Sequence, residues 1–253
     1  LLMIFTVLFT VQSNNKVNAT EYFARSYIVI DSSTGEIMEG KDYHLVRSVA
    51  SISKIMTAIV AIENSRLDTY VEVKDNILKA YGSSIYLKIG EVVIMEDLLY
   101  GLMLRSGNDA AVTIANGVSG SEEEFVKLMN EKASQIGMKN SVFHNPSGLD
   151  VDDEGNLSTS YDMALLMKYA LSNETFRKIT STKEYRSKNH GVWLNKNKLK
   201  LKDIAILILD DDSDMLGMTI NFTKYLVKCK THIGFTHYGY VESVNLLDSQ
   251  LED

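Results

Sequence analysis

Arg47-Ser48-Val49-Ala50-Ser51-Ile52-Ser53-Lys54-Ile55-Met56-Thr57-Ala58 is the stretch on which the reading of this chain turns. From here Ile52, Ile55, Met56, Ile59 and Val60 recur at the spacing of one helical face, so a helix begins at Ser51. Ser51 and Lys54, three apart at that start, share a face. A serine hydroxyl is a poor nucleophile until a base takes its proton. A lysine amine can be that base once desolvation and neighbouring charge lower its pKa. Backbone N–H groups at the helix start can also stabilise a developing oxyanion. Taken alone, Ser-x-x-Lys is weak, because it equally describes an N-cap serine beside a solvated lysine.

Downstream, Ser106-Gly107-Asn108 places a hydroxyl and an amide where one helical stretch gives way to the next. There they can relay a proton and hydrogen-bond a substrate amide, although a polar helix–helix turn has the same composition. Around these motifs the chain organises readily. Tyr27 to Asp31 is a short apolar run, Ser32-Ser33-Thr34-Gly35 supplies turn chemistry, and Glu36 to Glu39 resumes, which predicts a hairpin. Glu96 to Leu104 predicts a helix buried on most sides. Ser121-Glu122-Glu123-Glu124 is a capping box for a helix through Ile136 with Phe125, Leu128 and Met129 inward. Ser160 is placed to cap a helix from Tyr161 to Leu171 with Leu165, Leu166 and Tyr169 inward. Ile204 to Leu209 reads as a central strand, and Ser213 as the cap of a last helix carrying Leu216, Ile220, Leu226 and Val227. Strands at both ends flank a helical middle. The fold class is therefore α+β, with the two ends paired in one sheet and helices packed on it.

With 253 residues, 45% of them apolar, the chain can bury a substantial core. A net charge of −7 leaves no basic stripe for nucleic acid. The lone Cys229 excludes an internal disulfide and a thiol cluster. His44, His144, His190, His232 and His237 lack metal-ligand spacing such as His-x-x-x-His, so a zinc peptidase is not expected. The apolar run Leu1 to Val11 is shorter than the ~20 residues of a membrane span and fits the core of a secretory leader. Val17-Asn18-Ala19 is a small-residue cleavage site, which starts the mature chain near Thr20. A secreted protein with one cysteine suits a bacterial envelope.

The two motifs match two of the three that mark penicillin-binding proteins and serine β-lactamases, Ser-x-x-Lys, Ser-x-Asn and Lys-Thr-Gly. The flanking residues narrow this. The segment Arg47 to Ala58 closely resembles the nucleophile segment of the low-molecular-mass penicillin-binding proteins, the D-alanyl-D-alanine carboxypeptidases, with Val49 in place of the usual proline. The resemblance continues in Gly82-Ser83-Ser84-Ile85, in Asp97 to Ala111 and in Asn145-Pro146-Ser147-Gly148-Leu149-Asp150. It returns in Ser158 to Ala164 and Asn195-Lys196-Asn197-Lys198-Leu199, and so covers roughly Tyr27 to Leu199. It implies the β-lactamase/transpeptidase-like fold, an antiparallel sheet flanked by helices with a helical subdomain. It also implies Ser51 as the acylated nucleophile and Lys54 as its base. Ser106 and Asn108 then complete the proton network and hold the substrate, and the Ser51 N–H is one oxyanion donor. The implied partners are peptidoglycan pentapeptides ending in D-Ala-D-Ala, with β-lactams as covalent inhibitors, and the resemblance implies no metal or cofactor.

One part of the pattern is missing. In the family, the Asn-Lys-Asn-Lys-Leu segment leads into a strand bearing Lys-Thr-Gly, but here Leu199 is followed almost at once by Asp203-Ile204-Ala205. Two strands of ~5–6 residues have no counterpart, so the sheet is expected to lack them and to leave an edge of Ile204 to Leu209 unpaired. Lys230-Thr231-His232 reads as the polar end of the last helix rather than a replacement. The division expected is a leader over 1–19, a catalytic domain over 20–230 with a deletion near 199–203, and a truncated C-terminal segment over 231–253. Many such relatives carry a further β domain and an amphipathic membrane anchor after this point, so membrane association would depend on an anchor that the printed sequence lacks. Function is expected to be serine-type carboxypeptidase activity weakened by the deletion. The alternatives are an inactive envelope protein of the same fold, or a β-lactamase, which the carboxypeptidase-type segment Asn145 to Asp150 disfavours.

Overall fold

The computed structural model describes residues 25–32, 34–150 and 155–196, together with four later strands. β1 (Ser26–Ile30) and β2 (Ile37–Lys41) form the expected hairpin. Its turn is built on Asp31, whose carbonyl accepts from Gly35 N at 2.7 Å and whose carboxylate accepts from Thr34 N at 2.8 Å. Gly35 takes φ +81°, a region that costs a glycine nothing. β3 (Arg47–Ser48) leads through a 3-10 turn, Ala50–Ser53, into α1 (Lys54–Asn64). The small pair β4 (Tyr70–Glu72) and β5 (Val92–Ile94) precedes α2 (Met95–Arg105), α3 (Asn108–Ser119) and α4 (Glu122–Ile136). β6 (Leu157–Ser158) returns to pair with β3, followed by α5 (Ser160–Ser172) and α6 (Glu174–Ser181). The hairpin of β7 (Glu184–Ser187) and β8 (Gly191–Leu194) comes next. The later strands are β9 (Ile204–Leu209), β10 (Thr219–Asn221), β11 (Cys229–Thr231) and β12 (Val244–Leu246).

The two ends of the chain do meet. β9 pairs antiparallel with β1 in a sheet ordered β10-β9-β1-β2. Ile28 and Ile30 of β1 turn inward and pack with Ala164 of α5, and Ser26 Oγ lies 3.1 Å from Ser160 Oγ, so α5 covers the sheet. The main core is helical. Met56, Ala58, Ile59, Val60 and Ala61 of α1 are fully buried, and α1 touches every other helix. An amphipathic stripe could not do this. The continuous apolar run Ile55 to Ile62, broken only by Thr57, suits a helix wrapped on all sides.

Five sequence expectations change. Thr159, not Ser160, caps α5: its backbone is extended and its Oγ1 accepts from Asp162 N at 3.0 Å, whereas Ser160 is already helical. On α5 the inward residues are Met163, Leu166 and Met167, and Tyr169 points outward to bond Glu63 at 2.7 Å. The free edge of β9 is covered, since Thr219, Ile220 and Asn221 pair with Ile206, Ala205 and Ile204. Ile220, expected on a helix, is therefore on a strand, because an open ladder of N–H and C=O groups recruits a β-branched segment. Lys230 likewise lies on a strand, β11, paired with β12 in a sheet of its own. The leader over 1–19, the junction at 199–203, and Ser213, Leu216, Leu226 and Val227 fall outside the described residues.

The β7–β8 hairpin is fastened to α2 by a buried carboxylate. Asp97 accepts from Tyr185 Oη at 2.5 Å, Ser187 Oγ at 2.6 Å and Lys188 N at 3.1 Å. Burial and this bond push the Tyr185 hydroxyl far above the ordinary tyrosine range, and its ring stacks on Tyr100 with centroids 3.6 Å apart. Asp97→Ala would strand these donors, two of them on side chains. It should lower the unfolding free energy by about 3 kcal/mol or more in denaturant titration, and Asp97→Asn, which keeps one oxygen, should lose less.

Candidate active site

Ser51 lies in the 3-10 turn that opens onto α1, and Lys54 is the first α-helical residue. Lys54 Nζ is 3.0 Å from Ser51 Oγ and also donates to the Ser147 carbonyl. The lysine is 3% exposed, whereas Ser51 is half-buried and open to solvent. Burial first and the charge of Lys196 second, opposed by Asp109, together lower the Lys54 pKa to about 7. A neutral amine at that distance can accept the Ser51 proton while keeping its bond to the Ser147 carbonyl. Ser53, the other hydroxyl of the motif, is buried and donates to Ala50 O at 2.7 Å, so it is spent on the turn.

A loop reaches this lysine from the far side. Asn145 Oδ1 accepts from Gly148 N at 2.7 Å and Ser147 N at 3.2 Å, curling the segment so that the Ser147 carbonyl faces Lys54. Thr57 Oγ1 donates to Pro146 O at 2.6 Å and fixes the same loop to α1. Asn156, fully buried, joins both sides: its Oδ1 accepts from His144 N and Asn145 N, and its carbonyl accepts from Val49 N at 2.9 Å. Gly148 takes φ +77° against the Ala50–Ser53 turn, where a Cβ would collide with the Ala50 carbonyl and Ser53 Oγ. Ala50 itself holds φ +35°, a conformation L residues avoid.

Ser106 ends α2 in the left-handed conformation at φ +60°, Gly107 caps α3 and Asn108 opens it. Asn108 is buried. Its N–H donates to Ser83 O at 2.7 Å and its Nδ2 donates to Tyr81 O at 2.5 Å, while its Oδ1 has no partner among the described residues. Asp109 collects Ser84 Oγ, Ile85 N and Leu87 N, holding the 83–87 loop over the start of α3. Lys196, just past β8, puts its Nζ 3.4 Å from Ser83 Oγ.

The family profile described as D-alanyl-D-alanine carboxypeptidase matches residues 13–219. The chain belongs to that family. It is similar to the D-alanyl-D-alanine carboxypeptidase DacF of Bacillus subtilis, with 36% identity over 200 residues, which is 76% of this chain and 51% of the relative. The chain spans about half the length of the curated relatives it matches. Among solved structures it resembles a D-alanyl-D-alanine carboxypeptidase from Mycobacterium tuberculosis, with a TM-score of 0.69, 29% identity, and coverage of 74% of this chain and 72% of that one. It also resembles penicillin binding protein 6B from Escherichia coli, with a TM-score of 0.65, 28% identity and coverage of 76% and 69%. The resemblance read from the motifs and the α+β, transpeptidase-like fold are both borne out.

In this carboxypeptidase-family chain Ser51 and Lys54 are in hydrogen-bond contact, and Asn108 borders the same region through Ser83 and Lys196. Ser106 stands at the turn beside Asn108, and its hydroxyl makes no hydrogen bond among the described residues. Asp109, Gly148, Asn156 and the Ser147 carbonyl were not singled out from sequence. Three of them lie inside the similar segments, but Asn156 carries no motif. Among the described residues no group of three His, Cys, Asp or Glu is placed to hold a metal, and no helix is long and apolar enough to cross a membrane.

Gly148→Ala combines a left-handed backbone with a collision, so it should cost at least ~1–2 kcal/mol of stability and should displace the Ser147 carbonyl, as thermal melting and a crystal structure would show. Lys54 titrates near 7 when folded and at its ordinary 10.5 when unfolded. The unfolded chain therefore holds more protons between those values, and the burial penalty, fully present below pH 7, is relieved as pH rises. Lys54→Met should accordingly be more favourable relative to wild type at pH 6 than at pH 9.5, by a few kcal/mol. Equal differences at both pH values would contradict a depressed Lys54.

Proposed function

We propose that the chain is a serine-type D-Ala-D-Ala carboxypeptidase acting on peptidoglycan stem peptides. The reading is carried by one observation, a solvent-reachable Ser51 hydroxyl 3.0 Å from a buried Lys54 amine whose pKa is near 7. Ser51 Oγ attacks the carbonyl of the penultimate D-Ala as Lys54 Nζ takes its proton. The C–N bond then breaks, and the terminal D-Ala leaves as an amine with a proton relayed through Ser106. Water attacks the acyl-serine ester and restores Ser51. Asn108 holds the substrate amide, and the Ser51 N–H stabilises the oxyanion. β-Lactams acylate the same serine and leave a stable ester.

Peptidoglycan lies outside the cytoplasmic membrane, so this activity places the protein in the bacterial cell envelope, delivered by the leader over 1–19. The catalytic unit is the 20–230 segment. The sequence lacks Lys-Thr-Gly, and the loss of a single oxyanion donor alone costs ~10²–10³ in rate. Turnover of D-Ala-D-Ala peptides should therefore be at least ~10²-fold below that of relatives with all three motifs. That same absence favours, as a second reading, an envelope protein that retains the cleft and has lost catalysis.

Fluorescent penicillin separates the two. Stable labelling, with mass spectrometry placing the adduct on Ser51, supports the acyl-transfer reading, and no labelling at any concentration supports the second. Acylation should rise as pH passes about 7, because Lys54 accepts a proton only when neutral. Lys54→Arg cannot deprotonate at accessible pH, and it should abolish labelling while the circular dichroism stays native.

A further inference from the structure

Asn156 is fully buried, and the acyl-transfer reading gives it no task. It stands immediately before β6, where the backbone is fixed from two sides. Leu157 N donates to Val142 O at 2.9 Å and Leu157 O accepts from Val142 N at 2.8 Å, while on the other side Leu157 pairs with Ser48 of β3. The Asn156 carbonyl accepts from Val49 N, two residues before Ser51, at 2.9 Å. Its side chain serves a different part of the chain, the segment 144–149. Oδ1 accepts from His144 N at 2.7 Å and from Asn145 N at 3.1 Å, and Nδ2 donates to Asn145 O at 2.9 Å.

From there a series of bonds leads to the lysine. Asn145 Oδ1 accepts from Ser147 N and Gly148 N, and its Nδ2 donates to Leu149 O at 2.7 Å. That curl aims the Ser147 carbonyl at Lys54 Nζ. The same segment covers the amine, so that Lys54 is buried although Ser51 beside it is open to solvent. Thr57 holds the cover to α1 at Pro146, and Asn156 holds its other end to the strand that leads into Ser51. The charges acting on Lys54 are Lys196 and Asp109, and neither belongs to this segment. Loss of the Asn156 amide would strip three backbone groups of their partners, and such groups regain them from water. Water admitted beneath the segment changes the surroundings of the amine while those two charges stay.

We propose that Asn156 is a positioning residue, which closes the 144–149 segment over Lys54, keeps the Ser147 carbonyl on its amine and excludes water from it. The use of that amine as a base rests on the acyl-transfer reading, but the closed cover does not.

The test follows Lys54 itself, by NMR titration of the full chain carrying isotope-labelled lysine, with the Lys54 signal identified by its loss in Lys54→Arg. The wild type should titrate at about 7. In Asn156→Ala the entering water favours the charged amine, so its proton affinity should rise about tenfold or more. Asn156→Ser leaves one polar atom in the pocket. It should give a smaller rise in the same direction, and it carries the comparison if the alanine variant does not fold. Asn145→Ala should produce a similar rise, and Asn156→Ala added to it should change little more, because the two act in series. Asn173→Ala is the control: Asn173 Oδ1 caps α6 by accepting from Phe176 N at 3.0 Å, so its loss lowers stability without breaking a bond to the segment. Lys54 should titrate there as in the wild type. A titration unmoved by the Asn156 variants, moved as far by Asn173→Ala, or fully additive with Asn145→Ala overturns the proposal. A wild-type Lys54 that titrates like a solvated lysine overturns it too. Fluorescent penicillin judges the acyl-transfer reading separately. No labelling of a chain whose Lys54 responds to Asn156→Ala would refute acyl transfer and leave the positioning role, and labelling without that response would do the reverse.

Discussion

A lysine buried at the N-terminal end of a buried helix is the constraint around which this molecule is arranged. Its charged form is penalised first by loss of water and second by the nearby charge of Lys196. The neutral amine, by contrast, fits a site with one carbonyl acceptor and one hydroxyl. The Ser147 carbonyl must therefore be held at the amine, and the loop that carries it is locked by Asn145, Thr57 and Asn156. The close fit of Gly148 against the Ala50–Ser53 turn follows from the same demand.

This arrangement explains why the two halves of the fold meet where they do. α1 is surrounded by the other helices, while α5 touches both α1 and the sheet strands β1 and β9. The short β3–β6 pairing runs between those bodies and brings Asn156 to Val49, two residues before Ser51. Strain collects at the same place. Ala50 and Ser106 both hold positive φ without being glycine, and such residues persist where the surrounding packing over-determines them.

The sheet and the chemistry of the site tolerate change differently. The sheet adapts, because any β-competent segment can satisfy an open hydrogen-bond ladder, and β10 does so over three residues. Side-chain functions are not interchangeable in that way.

What the sequence determined by itself is local. The β1–β2 hairpin, α2, and α4 with Ser121 accepting from Glu124 N at 3.2 Å were legible because caps, turns and helical spacing act over a few residues. So were Ser51 and Lys54, three apart on one turn. Tertiary structure decided the rest. The partner of Lys54 lies 93 residues away and that of Lys196 lies 113 away, and no periodicity encodes such separations. Ile220 sits four residues after Leu216, a spacing that suits a helix, yet the unpaired edge of β9 drew it into a strand. Tyr169 suited the inner face by hydrophobicity, yet its hydroxyl needed Glu63 and turned outward. Burial then decided the chemistry, since the same Ser-x-x-Lys on a solvated helix would leave the lysine charged and the serine inert.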